Sequence, residues 1–261
     1  MGKRYVDTAL GQVHVTELGA GRPLVLLHQT PWSTVQYARA APVLATRGFR
    51  CLCIDTPGYG ASETPSAPPR IEDYADAVVA VLDTIELPSV AIAGFHTGAS
   101  IAAAVASAYP ERISAAALHG VPLYTAEERA QRLAAPHWDQ SPAADGSHLT
   151  RRWNFIADKI AGGGASPESV QWSVLSFFIA GATEWYGHHA AFSFDMAAAL
   201  KAIRCPTLIL SHTGDSIHPA AARALGLRPD FAYREFTGGT AHFTYDAAED
   251  WAAALAAFFL T

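Results

Sequence analysis

The polar residues that could do acid–base or nucleophilic chemistry are grouped in five short segments, and each segment follows an apolar run. The segments lie at residues 28–31, 55–62, 94–98, 213–215 and 238–243. They supply imidazole, carboxylate and hydroxyl groups, which can accept, donate or move protons. Because an open α/β sheet gathers its ligands at the carboxyl ends of the strands, segments that follow strands meet in one crevice. The pattern therefore predicts one site, built from several loops, at one edge of a sheet.

The elements that must position these segments alternate along the chain. Predicted strands cover residues 5–10, 13–18, 24–27, 51–54, 90–93, 115–118, 207–210 and 231–236. Between most of them, predicted helices cover residues 33–46, 71–86, 99–109, 219–225 and 246–259. Continuous apolar runs are typical of strands buried on both faces, and strand–helix alternation is typical of a mostly parallel sheet covered by helices. The predicted fold class is therefore α/β.

The alternation fails over residues 121–200. This stretch contains helical patterns, a run of three glycines at residues 162–164, and four of the six tryptophans. We interpret it as a helical insertion into a single α/β unit. Its aromatic residues either form a small core of the insertion or line a pocket, and apolar walls suit aromatic or medium-length acyl ligands.

The five segments resemble, in order, the motifs of the α/β-hydrolase superfamily, which are H-G-x-P, D-x-P-G-x-G-x-S, G-x-S-x-G, an acid and a late histidine. The resemblance implies an α/β-hydrolase core at residues 1–120 and 201–261 and a helical cap at residues 121–200. It also implies a triad in the order nucleophile, acid and histidine, which falls on His96, Asp215 and His242. Asp215 is expected to hydrogen bond to His242, to fix its tautomer and to stabilise its charged form as a general-base pair.

The resemblance also places residues around this triad. Thr30 and Thr97 would supply backbone N–H groups to an oxyanion hole, and His28 would support the turn that forms it. Gln29 stands where the family usually has a glycine. Two positions of the expected acyl-transfer site therefore differ from the family pattern, because the nucleophile position differs as well.

His96 is the clearest departure, because a Ser, Asp or Cys is expected between Gly94 and Gly98. The distal imidazole nitrogen lies roughly 2 Å farther from its Cα than a serine oxygen does, whereas productive sites tolerate about 0.5 Å. A helix N-terminus also disfavours imidazolium and would keep the ring neutral. Three roles stay open for His96: a nucleophile that forms an acyl-histidine, a group that acts without a covalent bond, and a structural residue. The reach of the ring favours the second role.

Histidines at the predicted carboxyl ends of strands raise the question of a metal site. They are His28, His96, His119, His212 and His242. Three imidazoles could hold Zn²⁺. The chain has no H-E-x-x-H or comparable spacing, however, and the resemblance gives the first of these histidines another task. We therefore expect neither a metal nor another cofactor.

Composition limits the partners of the protein. The chain has 261 residues and a net charge of −6, with no run of basic residues that could hold a phosphate backbone. No apolar stretch reaches the roughly 18 uncharged residues of a membrane span, and the polar start lacks the apolar core of a signal peptide. The three cysteines form no paired framework. We expect a cytoplasmic protein with a small-molecule substrate, without nucleic acid or membrane as partner, and with a homodimer left open.

The leading functional hypothesis is a hydrolase that acts on a small, mostly apolar ester- or lactone-like substrate with an aromatic or acyl group. Trp32 and Trp185 are expected to contact that substrate. One alternative is a lyase, isomerase or cyclase in which two imidazoles move protons and no nucleophile is required. Another, from a different class, is a non-catalytic homologue that keeps the pocket to bind a ligand.

Overall fold

One mixed β-sheet runs through the molecule. The computed structural model describes residues 2–162 and 164–261. Its strands are β1 (Gly2–Thr8), β2 (Gly11–Leu18), β3 (Arg22–Leu27), β4 (Phe49–Ile54), β5 (Val90–Phe95), β6 (Ile113–His119), β7 (Thr207–His212) and β8 (Ala232–Phe236). Their order across the sheet is β1-β2-β4-β3-β5-β6-β7-β8, with β2 antiparallel to β1 and β4 and all other neighbours parallel. The predicted α/β fold class is confirmed.

Helices cover both faces of this sheet. They are α1 (Ala40–Thr46), α2 (Ile71–Thr84), α3 (Thr97–Ala108), α4 (Ala126–Ala134), α5 (Ser147–Asn154), α6 (Pro167–Ala180), α7 (Tyr186–Ser193), α8 (Met196–Ala202), α9 (Pro219–Leu227), α10 (Phe243–Asp246) and α11 (Ala248–Phe259). The single helix predicted over residues 33–46 is divided into a 3-10 turn, Thr34–Tyr37, and α1. Pro42 explains the division, since it lacks an N–H and its ring would meet the carbonyl of Ala38 in a continuous helix.

Alternate residues of β3 enter two separate apolar cores. Leu24 and Leu26 pack with residues of α1 and α11, whereas Val25 and Leu27 pack with residues of α2 and α3. This period of two follows from the pleat of a strand, which sends successive side chains to opposite faces. The parallel strands β3 to β7 are thus clamped between two layers, and the loops after β3, β5 and β7 lie at the same edge.

The chain between β6 and β7 is helical. Its described residues form α4 to α8 together with a π-helical turn, Phe155–Ile160, and they contain no strand. A small apolar cluster holds part of this segment together and consists of Ile156, Val170 and Val174. Of the three-glycine run at residues 162–164, Gly163 lies outside the described residues. Within residues 2–162 and 164–261, no helix is long and apolar enough to cross a bilayer.

Candidate functional site

His96 occupies a tight turn between β5 and α3. Its φ of +49° lies in the left-handed region that non-glycine residues seldom adopt, so the surrounding backbone must hold it there. Gly94 and Gly98 permit the turn, because a Cβ at Gly94 would lie 2.0 Å from the carbonyl oxygen of Gly98. A Cβ at Gly98 would lie equally close to the Leu27 carbonyl oxygen, at 2.0 Å. The two glycines therefore allow α3 to start against β3 and β5.

The side chain of His96 is paired with a buried carboxylate. Its Nε2 lies 2.7 Å from Oδ2 of Asp215, which follows β7. The other carboxylate oxygen of Asp215 accepts a hydrogen bond from the backbone N–H of Ile217 at 3.0 Å. Burial alone would raise the pKa of Asp215, but His96 and the Ile217 N–H outweigh burial and hold that pKa below its ordinary value. Asp215 is therefore ionised near neutral pH and accepts the Nε2 proton of His96.

This hydrogen bond fixes how His96 can react. With the proton on Nε2, the lone pair is on Nδ1, for which the described parts of the chain offer no hydrogen-bond partner. Gly120 leaves room for the ring, because a Cβ at that position would lie 2.3 Å from Cδ2 and 2.6 Å from Nε2 of His96. The side chain of His96 is 20% exposed. The arrangement can therefore accept a proton on Nδ1, and the ionised carboxylate of Asp215 stabilises the resulting imidazolium.

The predicted hydrogen bond between Asp215 and His242 is wrong. The imidazole of His96 is long enough to reach Asp215 and takes that position itself. Nδ1 of His242 instead lies 3.0 Å from Oγ of Ser169 in α6, and this hydroxyl donates to Oδ2 of Asp246 at 2.8 Å. Burial lowers the pKa of His242 to about 4, although Asp246 opposes the shift, so the ring is neutral near pH 7.

Nε2 of His242 makes no hydrogen bond in the described structure. Because the Ser169 hydroxyl donates to a carboxylate, its oxygen accepts the Nδ1 proton of His242, which leaves the lone pair on Nε2. That nitrogen is buried and has no partner among the described residues. Trp32 covers the ring, with the two ring centres 5.1 Å apart. Sequence reasoning missed Ser169 and Asp246, since nothing in the sequence of α6 indicates that it meets the loop after β8.

A cavity of about 190 Å³ joins the two imidazoles. Of the predicted binding residues, Gln29, Thr30, Trp32 and Thr97 line it. Thr97 is the first residue of α3, so its backbone N–H has no partner within the helix and can donate to an anionic oxygen. The helical segment between β6 and β7 contributes Tyr124, Arg132, Arg152, Ile156, Ser173 and His188 to the walls.

Gln29 and His28 form hydrogen bonds that connect the loops around the cavity. The backbone N–H of Gln29 donates to Oε1 of Gln36 at 2.9 Å, and its side-chain amide donates to the Ala241 carbonyl at 2.7 Å. Nδ1 of His28 donates to the Gln29 carbonyl, while its Nε2 accepts from the Thr56 N–H, each at 2.9 Å. Burial lowers the pKa of His28, which keeps this neutral pattern. His28 therefore braces the loop after β3.

Trp185 lies away from the predicted position. Its ring packs against His137, with centres 4.5 Å apart, and against Tyr186, at 4.8 Å. Among the described residues that line the cavity, Trp185 is absent. The side chain follows a short turn at the start of α7, and that geometry directs it into the packing of the helical segment.

Two further strand-end histidines bond to each other. Nε2 of His119 lies 3.0 Å from Nδ1 of His212, and both side chains are fully buried. Burial lowers the pKa of His119 well below its ordinary value and that of His212 to about 4. In the part of the chain that the structure describes, no three His, Cys, Asp or Glu side chains are grouped as metal ligands. These histidines form a neutral layer behind His96 and Asp215.

Comparison with known proteins gives similarity in both sequence and fold. The sequence pattern of the alpha/beta hydrolase fold matches residues 22–152. Bifunctional epoxide hydrolase 2 of Mus musculus is 36% identical over 124 residues, covering 45% of this chain and 22% of that protein. A non-heme haloperoxidase homologue of Mycobacterium phage D29 is 30% identical over 107 residues, covering 41% of this chain and 38% of that protein. The chain thus spans about a fifth of the length of the first curated relatives it matches.

Solved structures extend the similarity to the whole chain. The bromoperoxidase from Bacillus anthracis superposes with a TM-score of 0.81 at 20% identity and covers 100% of both chains. The enol-lactonase from Burkholderia xenovorans LB400 gives a TM-score of 0.77 at 20% identity over 99% of this chain and 100% of that one. At this identity the superpositions establish the fold alone. Together with the sequence pattern, which spans half of the chain, they show that this protein belongs to the alpha/beta hydrolase fold family.

Proposed function

We propose that this protein is an enzyme in which His96, held by Asp215, acts as a general base on a small ester- or lactone-like substrate. The observation that carries the proposal is the 2.7 Å hydrogen bond between a buried carboxylate and an imidazole that lines a cavity. A carboxylate fixes the tautomer of its imidazole and stabilises the imidazolium that forms when the ring takes a proton. His96 would remove a proton from a bound water as its oxygen attacks the substrate carbonyl, and the imidazolium would return that proton to the leaving alkoxide as the acyl C–O bond breaks.

His96 would hold the position of the family's nucleophile without forming a covalent bond. The strand-to-helix turn, the positive φ and the two flanking glycines support that position. The tautomer supports the non-covalent role, because the free lone pair is on Nδ1, beside the Cβ of the same side chain. This crowding hinders attack on an acyl carbon more than it hinders removal of a small proton.

The other groups of the cavity would assist this base. The Thr97 N–H would bind the negative oxygen that develops on the carbonyl, as an oxyanion hole does. Neutral His242, through its free Nε2, would accept a hydrogen bond from the attacking water or from a substrate hydroxyl. Residues 121–200 would act as a cap on a core formed by residues 1–120 and 201–261, since they supply a large share of the cavity wall.

Turnover of activated aryl esters and lactones by the native protein and by His96→Gln tests the proposal. We expect the substitution to reduce turnover about 10²- to 10⁴-fold, the usual contribution of a positioned base. Intact-protein mass spectrometry of rapidly quenched samples should find no acylated enzyme. Turnover by His96→Gln within a few-fold of the native rate, or an acyl group on His96, contradicts the proposal.

An isomerase, lyase or cyclase is the second candidate, and the presence of two imidazoles with free nitrogens in one cavity favours it. Isotopes separate the two reactions. Hydrolysis in H₂¹⁸O places ¹⁸O in the acid product, whereas proton transfer in D₂O places deuterium on carbon without ¹⁸O. A protein that binds a ligand tightly and gives neither label is a binding protein instead.

A further inference from the structure

Arg152 is a buried cation at the cavity, and no described side chain accepts a hydrogen bond from it. The residue is 7% exposed, lies in α5 and lines the same cavity as the two imidazoles. Its Nε is buried and has no hydrogen-bond partner in the described structure. Burial lowers the pKa of Arg152 to about 10, with Glu184 opposing that shift, so the guanidinium is still charged at neutral pH. Burying an unpaired charge is costly, which indicates that a partner is supplied when the cavity is filled.

Aromatic rings hold the guanidinium but do not satisfy it. Its central carbon lies 3.6 Å from the centre of the Phe177 ring and 5.1 Å from that of Trp138. Such contacts stabilise a cation through the ring face and accept no N–H from the edge of the guanidinium. Glu184 is also buried, which raises its pKa although Arg152 opposes the rise, and in the described structure its carboxylate is not within ion-pair distance of Arg152. The donors along the edge therefore stay available to a ligand.

The charged side chains that line the cavity in the described structure have one sign. Arg132 is the second charged residue of the lining, and its guanidinium lies over Tyr124 at 4.5 Å from the ring centre. Among the described residues, no Asp or Glu lines the cavity. Nearby Glu128 is already paired with Arg223 at 2.9 Å. In the described lining, the charged side chains are thus both arginines, although the net charge of the chain is −6 and Asp215 lies behind His96.

We propose that Arg152, assisted by Arg132, binds a carboxylate on the substrate, so that the ester or lactone acted on carries a second, free acid group. This assignment deepens the proposed function and rests on it. A planar guanidinium whose face is covered by Phe177 presents its N–H groups in one plane, which matches the plane of a carboxylate. It also revises the expectation of a mostly apolar substrate, because the apolar walls accompany a fixed site for one negative charge.

Binding of unreactive probes tests the inference without turnover. Calorimetry on the native protein should show benzoate bound at least 10-fold more tightly than neutral benzamide, since charge-assisted hydrogen bonds contribute roughly 1.5–3 kcal/mol. Arg152→Gln should abolish that preference, while Arg151→Gln, an exposed neighbour on the same helix, should retain it. Phenylphosphonate is the second anionic probe. If the native protein binds it more tightly than benzoate, the site is specific for a phosphoryl group and the carboxylate assignment is wrong.

Kinetics separate this inference from the proposed function. On an aryl ester with a free carboxylate, Arg152→Gln should lose about 10- to 100-fold in kcat/KM, and on its neutral methyl ester it should lose only a few-fold. Equal losses on both esters, or no preference of the native protein for benzoate over benzamide, contradict the inference and leave the base role of His96 intact. Benzoate binding that depends on Arg152 in a protein that hydrolyses neither ester supports the anion site and contradicts the hydrolase proposal. The native comparison decides the question even where Arg152→Gln does not fold.

Discussion

The hydrogen bond from His96 to Asp215 determines which nitrogen of the imidazole can accept a proton. It joins Nε2 to the carboxylate at 2.7 Å and leaves the lone pair on Nδ1. The residue types and their order along the chain predicted both members of this pair. Their mutual contact could not be predicted, because it depends on the reach of an imidazole where a shorter side chain is usual. Because His96 occupies Asp215, His242 forms its hydrogen bond with Ser169 instead.

Asp215→Asn should leave the fold intact and reduce turnover by orders of magnitude. The amide can donate to Nε2, which would move the proton to Nδ1 and remove the lone pair that accepts the substrate-side proton. In a serine triad the equivalent change costs about 10⁴-fold. Steady-state kinetics measures the loss, and circular dichroism checks the fold. A variant with turnover within a few-fold of native would show that Asp215 serves only the loop after β7.

Gly120→Ala should displace the His96 ring. An added Cβ would lie 2.3 Å from Cδ2 of His96 and 2.9 Å from Oδ2 of Asp215, so the hydrogen bond must lengthen. Gly181→Ala is the matched control, since Gly181 has nearly the same φ, +59° against +60°, and nothing within 4 Å of the added atom. Both variants should lose stability, because a residue with a Cβ is disfavoured at a φ near +60°. Only Gly120→Ala should lose turnover, and equal turnover in the two variants would contradict this positioning role.

At the scale of elements, α6 connects the helical segment to the loop after β8. Ser166 and Ser169 of this helix start both donate to the carboxylate of Asp246, and Ser169 also meets His242. The strands and most helices could be predicted, because apolar runs and helical spacing are local properties of the sequence. The contact between α6 and His242 could not, since it joins residues 73 positions apart across an irregular segment.

Ser169→Ala should lower the free energy of unfolding by removing the hydrogen bond between α6 and His242. The substitution leaves the Nδ1–H of buried His242 without an acceptor, which costs roughly 1–3 kcal/mol. Ser176→Ala is the control, because Ser176 is buried in the same helix and its hydroxyl makes no side-chain hydrogen bond in the described structure. Urea unfolding measures both free energies of unfolding. A loss for Ser169→Ala no larger than the loss for Ser176→Ala would show that the hydroxyl does not support His242.

At the scale of the whole molecule, buried neutral histidines make the fold sensitive to acid. Burial lowers the pKa of His212 and His242 to about 4 from an ordinary value of 6.5, and the pKa of His188, which is half-buried at the cavity wall, is lowered to about 4 as well. Between these values the unfolded chain binds protons that the folded protein does not. The free energy of unfolding is therefore not reduced by these histidines above pH 6.5, and it decreases as the pH falls from 6.5 toward 4. Asp215, whose folded pKa is also lowered, adds a further loss below its ordinary value of 3.8.

The free energy of unfolding should therefore decrease from pH 7.5 to pH 4.5. His212 and His242 each contribute on the order of 1–3 kcal/mol to this decrease, since one unit of pKa is 1.36 kcal/mol, and half-buried His188 contributes less because solvent screens its charge. Urea unfolding at several pH values with constant ionic strength measures it. Stability that stays constant or rises over this range would mean that these histidines take up protons in the folded protein.

The protonation of His96 is the most direct test of the base role. We would label the histidines with ¹⁵N and assign the His96 ring by comparison with His96→Gln. In its neutral form the ring should show a proton on Nε2 and a bare Nδ1, and Asp215→Asn should reverse this pattern. A native ring with its proton on Nδ1 would contradict the account, because the nitrogen assigned to accept the proton would already be occupied.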